Sequence, residues 1–170
     1  MPRPDFAHLL EASDRPCWLL DVDGVLNAAR PRWPGAAEHG VVHSTAAGPL
    51  RLTWSPPLLD RIRALIAAGA VDVVWATTWC PDVALLERLW DFPPLARAWT
   101  ADLYGSAAAG AKYGAATEVE LAGRPLVWTD DEFADDLSDP DRLEIRPRAL
   151  HGLSPRDLDA VESFIARCGP

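Results

Sequence analysis

The chain has 170 residues and a formal charge of −9, from 16 Lys and Arg against 25 Asp and Glu. Hydrophobic residues make up 49% and charged residues 24%, a soluble globular composition long enough to bury one core, so a single domain over 1–170 is expected. The acidic balance repels nucleic-acid backbones and anionic lipid, which argues against broad nucleic-acid binding but leaves room for a local basic patch around a small phosphorylated substrate.

Cys17, Cys80 and Cys168 are odd in number and widely spaced, suggesting neither a disulfide framework nor a zinc site. No run of about 18 apolar residues is present, and Met1-Pro2-Arg3-Pro4-Asp5 lacks a signal-peptide core. A cytoplasmic enzyme or binding domain with no membrane partner is the expectation.

In chain order, a surface lead-in with a short helical turn at 6–11 precedes a buried strand at 17–22. Pro31, Pro34 and Gly35 rule against a continuous helix in 27–53. Within that segment, 41–45 and 50–54 flank Ala46-Ala47-Gly48-Pro49 as a β-hairpin, with Leu50, Leu52 and Trp54 on one face. Such a hairpin, inserted at about 27–54, is either a flap over a site or a surface ornament. Ser55-Pro56-Pro57 opens a helix with an N-cap and a proline in its first turn, and Gly69 closes it. A strand at 71–76 ends in Thr77-Thr78-Trp79, and a helix over 81–90 is broken by Pro93-Pro94. The stretch 95–111 shows no clear pattern, and Ala107–Ala111 reads as loop or weak helix. A short helix at 117–121, a buried strand at 125–128, an edge strand at 142–146 and a helix capped by Ser154-Pro155-Arg156-Asp157 complete the chain. Strands alternating with helices predict an α/β fold: a three-layer α/β/α Rossmann-like parallel sheet with a hairpin flap and no large cap domain.

Ligands of such sheets bind beyond the carboxyl ends of the strands, where Asp21, Asp23, Thr77, Asp130 and Asp131 all fall. Two acids and a glycine (Asp21-Val22-Asp23-Gly24) at the end of a buried strand are costly to desolvate unless they hold a cation or react. They are also ordinary turn residues. Gly24 lets the backbone turn sharply beside a ligand.

The ordered set of Asp21-Val22-Asp23-Gly24, Thr77 after an apolar strand, Lys112 and Asp130-Asp131 after another resembles the haloacid dehalogenase-like (HAD) superfamily, in its phosphatase branch. The strings DVDGVLN, VWATTW and VWTDDEF resemble a group of small bacterial HAD-like proteins, and the likeness spans about 17–165. Lys112 is the only lysine in the chain. The resemblance implies a phosphohydrolase that cleaves a phosphomonoester. Asp21 is the nucleophile forming an aspartyl-phosphate, and Asp23 is the general acid and base. Thr77, Thr78, Gly24 and Lys112 contact the phosphoryl group, with Lys112 balancing its charge. Asp21, Asp130, Asp131 and the backbone carbonyl of Asp23 ligate Mg²⁺. One of the two late acids instead orients Lys112 or a metal-bound water, and the sequence leaves open which. Where family members often carry Thr after the glycine, this chain has Val25.

Dehalogenation fits less well, because dehalogenases of this superfamily lack the acid at Asp23. A phospho-Asp receiver domain places its acid pair early and its phosphorylated Asp on a middle strand, the reverse of the order here. A binding or scaffold protein that kept the fold is the remaining alternative. His43 and His151 sit where a flap and a late loop could close. Trp33 and Trp54 are candidates for stacking on a base or sugar. The resemblance touches HAD domains in nucleic-acid end repair, which the charge of −9 does not support, so a small phosphorylated metabolite or nucleotide is expected ahead of a macromolecule.

Overall fold

The computed structural model describes residues 3–169. In chain order the elements are α1 (Phe6–Ala12), β1 (Cys17–Leu20), β2 (Glu38–Ser44), β3 (Gly48–Trp54), α2 (Pro56–Ala67), β4 (Asp72–Trp75), α3 (Val83–Leu89), β5 (Ala96–Arg97), α4 (Gly105–Leu121), β6 (Leu126–Thr129), β7 (Arg142–Ile145) and α5 (Pro155–Cys168). Strands β5-β4-β1-β6-β7, in that order, form one parallel sheet, while β2 and β3 form a separate antiparallel hairpin.

The three central strands are buried on both faces, which is why each reads as an unbroken apolar run. Their two-residue alternation splits the core. Trp18, Leu20, Val73, Trp75 and Val127 pack with Leu58, Leu59 and Ile62 of α2 and with Leu158, Val161 and Phe164 of α5. Cys17, Leu19, Val74, Leu126 and Trp128 turn the other way, onto Phe6 of α1 and Ala115, Ala116 and Val119 of α4. The result is three layers, helices over each face of one sheet. Each fully buried Leu or Val contributes on the order of 1.5–3 kcal/mol, so the sheet is rigid where its ends carry polar groups.

Helix starts follow local chemistry. At α5 the capping box is complete: the Asp157 N–H donates to Ser154 Oγ (3.3 Å) and the Ser154 N–H to Asp157 Oδ2 (2.8 Å). At α2 Ser55 occupies the N-cap position, but its buried Oγ makes no cap bond. Pro57 lacks one of the N–H groups a cap would satisfy, so this helix start rests on the prolines.

The unpatterned stretch 95–111 resolves into β5 and the first part of α4, a helix of 17 residues rather than one short helix at 117–121. The inward face of α4 is built from Ala108, Ala115 and Ala116 with Val119 and Lys112. Alanine lies close against the sheet but leaves no apolar stripe to read. Both hairpin strands start earlier than expected, at Glu38 and Gly48, and Trp54 is 5% exposed and packed edge-on to Trp90 at 6.1 Å. Trp54 is therefore a core residue and offers no ring for stacking on a substrate. Half-buried Trp33 donates its indole N–H to the Leu153 carbonyl (2.6 Å) under the Arg61 guanidinium. Among the described residues, no helix is long and apolar enough to cross a membrane.

Candidate active site

Strand register assembles the site. Leu20 pairs with Thr129 of β6 on one side and Trp75 of β4 on the other, so the next residues along, Asp21, Asp130 and Ala76, emerge side by side. The Asp21 N–H donates to the Thr129 carbonyl (3.2 Å), the Ala76 N–H to the Leu20 carbonyl (3.0 Å) and the Asp130 N–H to the Ile145 carbonyl (3.2 Å). Thr77 follows one residue beyond.

Lys112 reaches this point from the middle of α4. Its Nζ lies 2.6 Å from Asp21 Oδ2 and 2.6 Å from Asp130 Oδ2, and it sits 5.1 Å from the centre of the Phe133 ring. All three charged groups are buried. The Asp21 Oδ1 accepts from the Val22 N–H (2.7 Å), and Asp130 Oδ1 accepts from the Glu132 and Phe133 N–H groups (both 2.9 Å). Burial pushes the Asp21 carboxyl up to about 7; Lys112 opposes that rise and the nearby Asp130 adds to it. On Lys112 burial works against the charge, but the two carboxylates outweigh it and hold the ammonium above its ordinary pKa. Asp131, half-buried, is raised by burial and by its neighbour Asp130.

One carboxylate oxygen from each of Asp21, Asp130 and Asp131 falls within a group spanning no more than 4.8 Å. Three acids against one lysine leave excess negative charge, and among the described residues the fully buried Asp130 Oδ2 has only the shared Lys112 ammonium against it. Gly24, at φ +70°, gives way to Asp131: a Cβ there would stand 2.3 Å from Asp131 Oδ2. Hard oxygen donors, surplus negative charge and a carboxylate seated against bare backbone fit a divalent cation.

Asp23 stands apart from that cluster. Its side chain is exposed and both its oxygens are held, Oδ1 by the Asn27 Nδ2–H (2.7 Å) and Oδ2 by the Trp79 indole N–H (2.9 Å). Thr77 is fully buried, and its Oγ1 accepts from the Trp79 N–H (3.3 Å), which leaves its O–H free to donate. Thr78 lines a cleft of about 100 Å³ with Asp23, Trp79, Asp82, Ser44 and Tyr104. The hairpin tip forms one wall and is latched there: Ser44 Oγ–H (3.0 Å) and the Thr45 N–H (2.9 Å) both donate to Asp82 Oδ2. His43 is exposed on the hairpin, and His151 Nδ1 lies 2.9 Å from the Arg30 carbonyl.

The structure thus brings together Asp21, Lys112, Asp130, Asp131 and Gly24, sets Asp23 and Thr78 along a cleft, and leaves Thr77 fully buried behind it. Asn27 and Trp79 were not legible as site residues, since a tryptophan after an apolar strand reads as packing. An amide four residues beyond Asp23, across a glycine turn, was the one available signal.

A parallel sheet of this order, with acids at the ends of two adjacent strands and a buried lysine between them, defines a HAD-like domain. Residues 18–158 match the family described as the HAD domain in Swiss Army Knife RNA repair proteins, and the chain belongs to that family. No curated protein and no solved structure matches it. Membership supports a role of phosphohydrolase type; HAD proteins usually use a metal, and the Asp21, Asp130 and Asp131 carboxylates form a group that could hold one.

Proposed function

We propose that the protein is a Mg²⁺-dependent phosphomonoesterase that works through an aspartyl-phosphate on Asp21. The observation carrying this reading is the buried Asp21–Lys112–Asp130 cluster with Asp131 beside it. Burying three charged groups together, with a half-buried fourth beside them, is expensive unless they serve a reaction.

A substrate phosphoryl group sits between Lys112, the Thr77 hydroxyl, Thr78 and the backbone at Gly24. An Asp21 oxygen attacks phosphorus as the bond to the leaving oxygen breaks, and Asp23 passes its proton to that oxygen. The Asp23 carboxylate then takes a proton from water, the water oxygen attacks phosphorus, and the bond to Asp21 breaks to restore the free carboxylate. Lys112 compensates charge on Asp21 and on the phosphoryl oxygens throughout. Asp21, Asp130, Asp131 and the Asp23 carbonyl are the groups that would hold Mg²⁺, whose charge, when bound, polarises the phosphoryl group.

The substrate we favour is a small phosphorylated molecule or nucleotide, met by a narrow cleft on an acidic protein. A second reading, a phosphorylated RNA end, is favoured by the family's description. The test is hydrolysis of an aryl phosphate by wild type and Asp21→Asn, in Mg²⁺ and in EDTA. It is followed by a panel of mononucleotides and of oligoribonucleotides phosphorylated at either end. Mg²⁺-dependent turnover lost in Asp21→Asn supports the phosphatase. No turnover across the panel, together with no Mg²⁺ binding by calorimetry, overturns it in favour of a scaffold.

A further inference from the structure

We propose that Asn27 and Trp79 are positioning residues for proton transfer by Asp23, clamping its carboxylate by both oxygens so that it faces the leaving group. This rests on the phosphomonoesterase reading and adds to it two residues that touch neither metal nor phosphoryl group.

The clamp is built from two independent pieces of the fold. On one side, the Asn27 amide donates to Asp23 Oδ1 (2.7 Å). That amide cannot flip freely, because its own Oδ1 accepts from the Thr53 N–H (2.9 Å) at the base of the hairpin. The turn is closed again by the Gly24 N–H donating to the Asn27 carbonyl (2.9 Å). On the other side, the Trp79 indole donates to Asp23 Oδ2 (2.9 Å). Trp79 is 6% exposed, packed in the core, and its backbone N–H donates to Thr77 Oγ1 (3.3 Å). An otherwise exposed carboxylate is thereby fixed relative to both the phosphoryl-facing threonine and the hairpin wall of the cleft.

An exposed aspartate samples several rotamers, and proton transfer to a leaving oxygen needs one of them. In the first chemical step the P–O bond to the leaving group breaks, the Asp21 O–P bond forms and the Asp23 proton moves to the departing oxygen. A substrate whose leaving group is a weak base departs with little help, whereas one with a strongly basic oxygen depends on the proton. Loosening Asp23 should therefore penalise poor leaving groups selectively. A general loss of folding or binding has no such preference.

The experiment compares kcat/KM for 4-nitrophenyl phosphate and phenyl phosphate in Mg²⁺ for wild type, Trp79→Phe, Asn27→Ala and Asp23→Asn. The expected result is that the ratio of the two values rises about tenfold in Trp79→Phe and in Asn27→Ala, and further in Asp23→Asn. Trp79→Phe keeps the aromatic bulk, and Asn27→Ala tests the opposite oxygen should the first variant fold poorly. A second readout needs no turnover: in the metal-free protein, the indole N–H resonance that disappears in Trp79→Phe should be displaced in Asp23→Ala. Equal losses on both substrates in an active enzyme overturn the inference alone, as does an indole resonance unmoved by Asp23→Ala. Where wild type turns over neither aryl phosphate, the indole resonance alone decides the inference, and the phosphatase reading is decided by the substrate panel and the calorimetry above.

Discussion

Gly24 and Asp131 compete for one space: a Cβ on residue 24 would lie 2.3 Å from Asp131 Oδ2 and 2.4 Å from its Cγ. The first strand end must therefore be bare for the second acid of the β6 end to reach the cluster. Gly24→Ala also forces a side chain into φ +70°, at a cost of about 1–2 kcal/mol. The expected outcome is a folded protein whose Mg²⁺ affinity, measured by calorimetry, falls at least about tenfold because Asp131 is displaced. Unchanged affinity would place the cation away from Asp131.

Lys112 is the one positive group facing two buried carboxylates, each 2.6 Å away. Lys112→Met leaves both charges uncompensated and should destabilise the metal-free protein by about 3 kcal/mol in urea unfolding. Removing one of the charges as well, in Asp21→Asn/Lys112→Met, should recover part of that loss. A coupling of at least about 1 kcal/mol is expected from the double-mutant cycle. Additive losses would mean that the ion pair is not felt energetically.

The buried thiols set an alkaline limit. Burial pushes Cys17 up to about 12 and Cys80 up to about 11, from an ordinary value of 9.0. In the unfolded chain these thiols ionise near 9, whereas the fold holds them protonated. Their contribution is thus intact below 9 and is lost as pH climbs through 11 and 12. Urea midpoints should fall steadily over that range, and Cys17→Ala/Cys80→Ala should flatten the decline. At pH 8, iodoacetamide should modify the half-buried Cys168 well before the other two.

Asp82 latches the hairpin tip through the Ser44 hydroxyl and the Thr45 amide. Asp82→Ala should change global stability by less than about 1 kcal/mol, since the hairpin base is held by Leu52 and Trp54 in the core. Amide exchange at Thr45 should accelerate at least about fivefold while that of Leu52 stays constant. Equal acceleration at both positions would show that the whole hairpin, not its tip, opens.

What was legible in the sequence follows from how each residue is used. Trp18 to Leu20 and Leu126 to Trp128 are buried on both faces, so the central strands stand out as apolar runs, and the acids that end them are conspicuous by contrast. The strand β5 is two residues long and pairs only with Val74 and Trp75, too little for any pattern. Helix α4 was legible in its last turn but only as loop or weak helix at 107–111, because its inward face is mostly alanine and leaves no apolar stripe. Asn27 meets Asp23 inside a single glycine turn, a faint local signal, whereas the Trp79 contact joins distant parts of the chain and no spacing encodes it.

The lone lysine has a consequence outside the proposed reaction. Every other basic side chain in the chain, histidines aside, is a guanidinium, so the surface has no ε-amine to acetylate, ubiquitinate or cross-link. Among side chains, amine chemistry has only one address in this protein, 4% exposed between two carboxylates. Selective isotope labelling of lysine would put a single reporter at the centre of the site, with no background from the rest of the molecule.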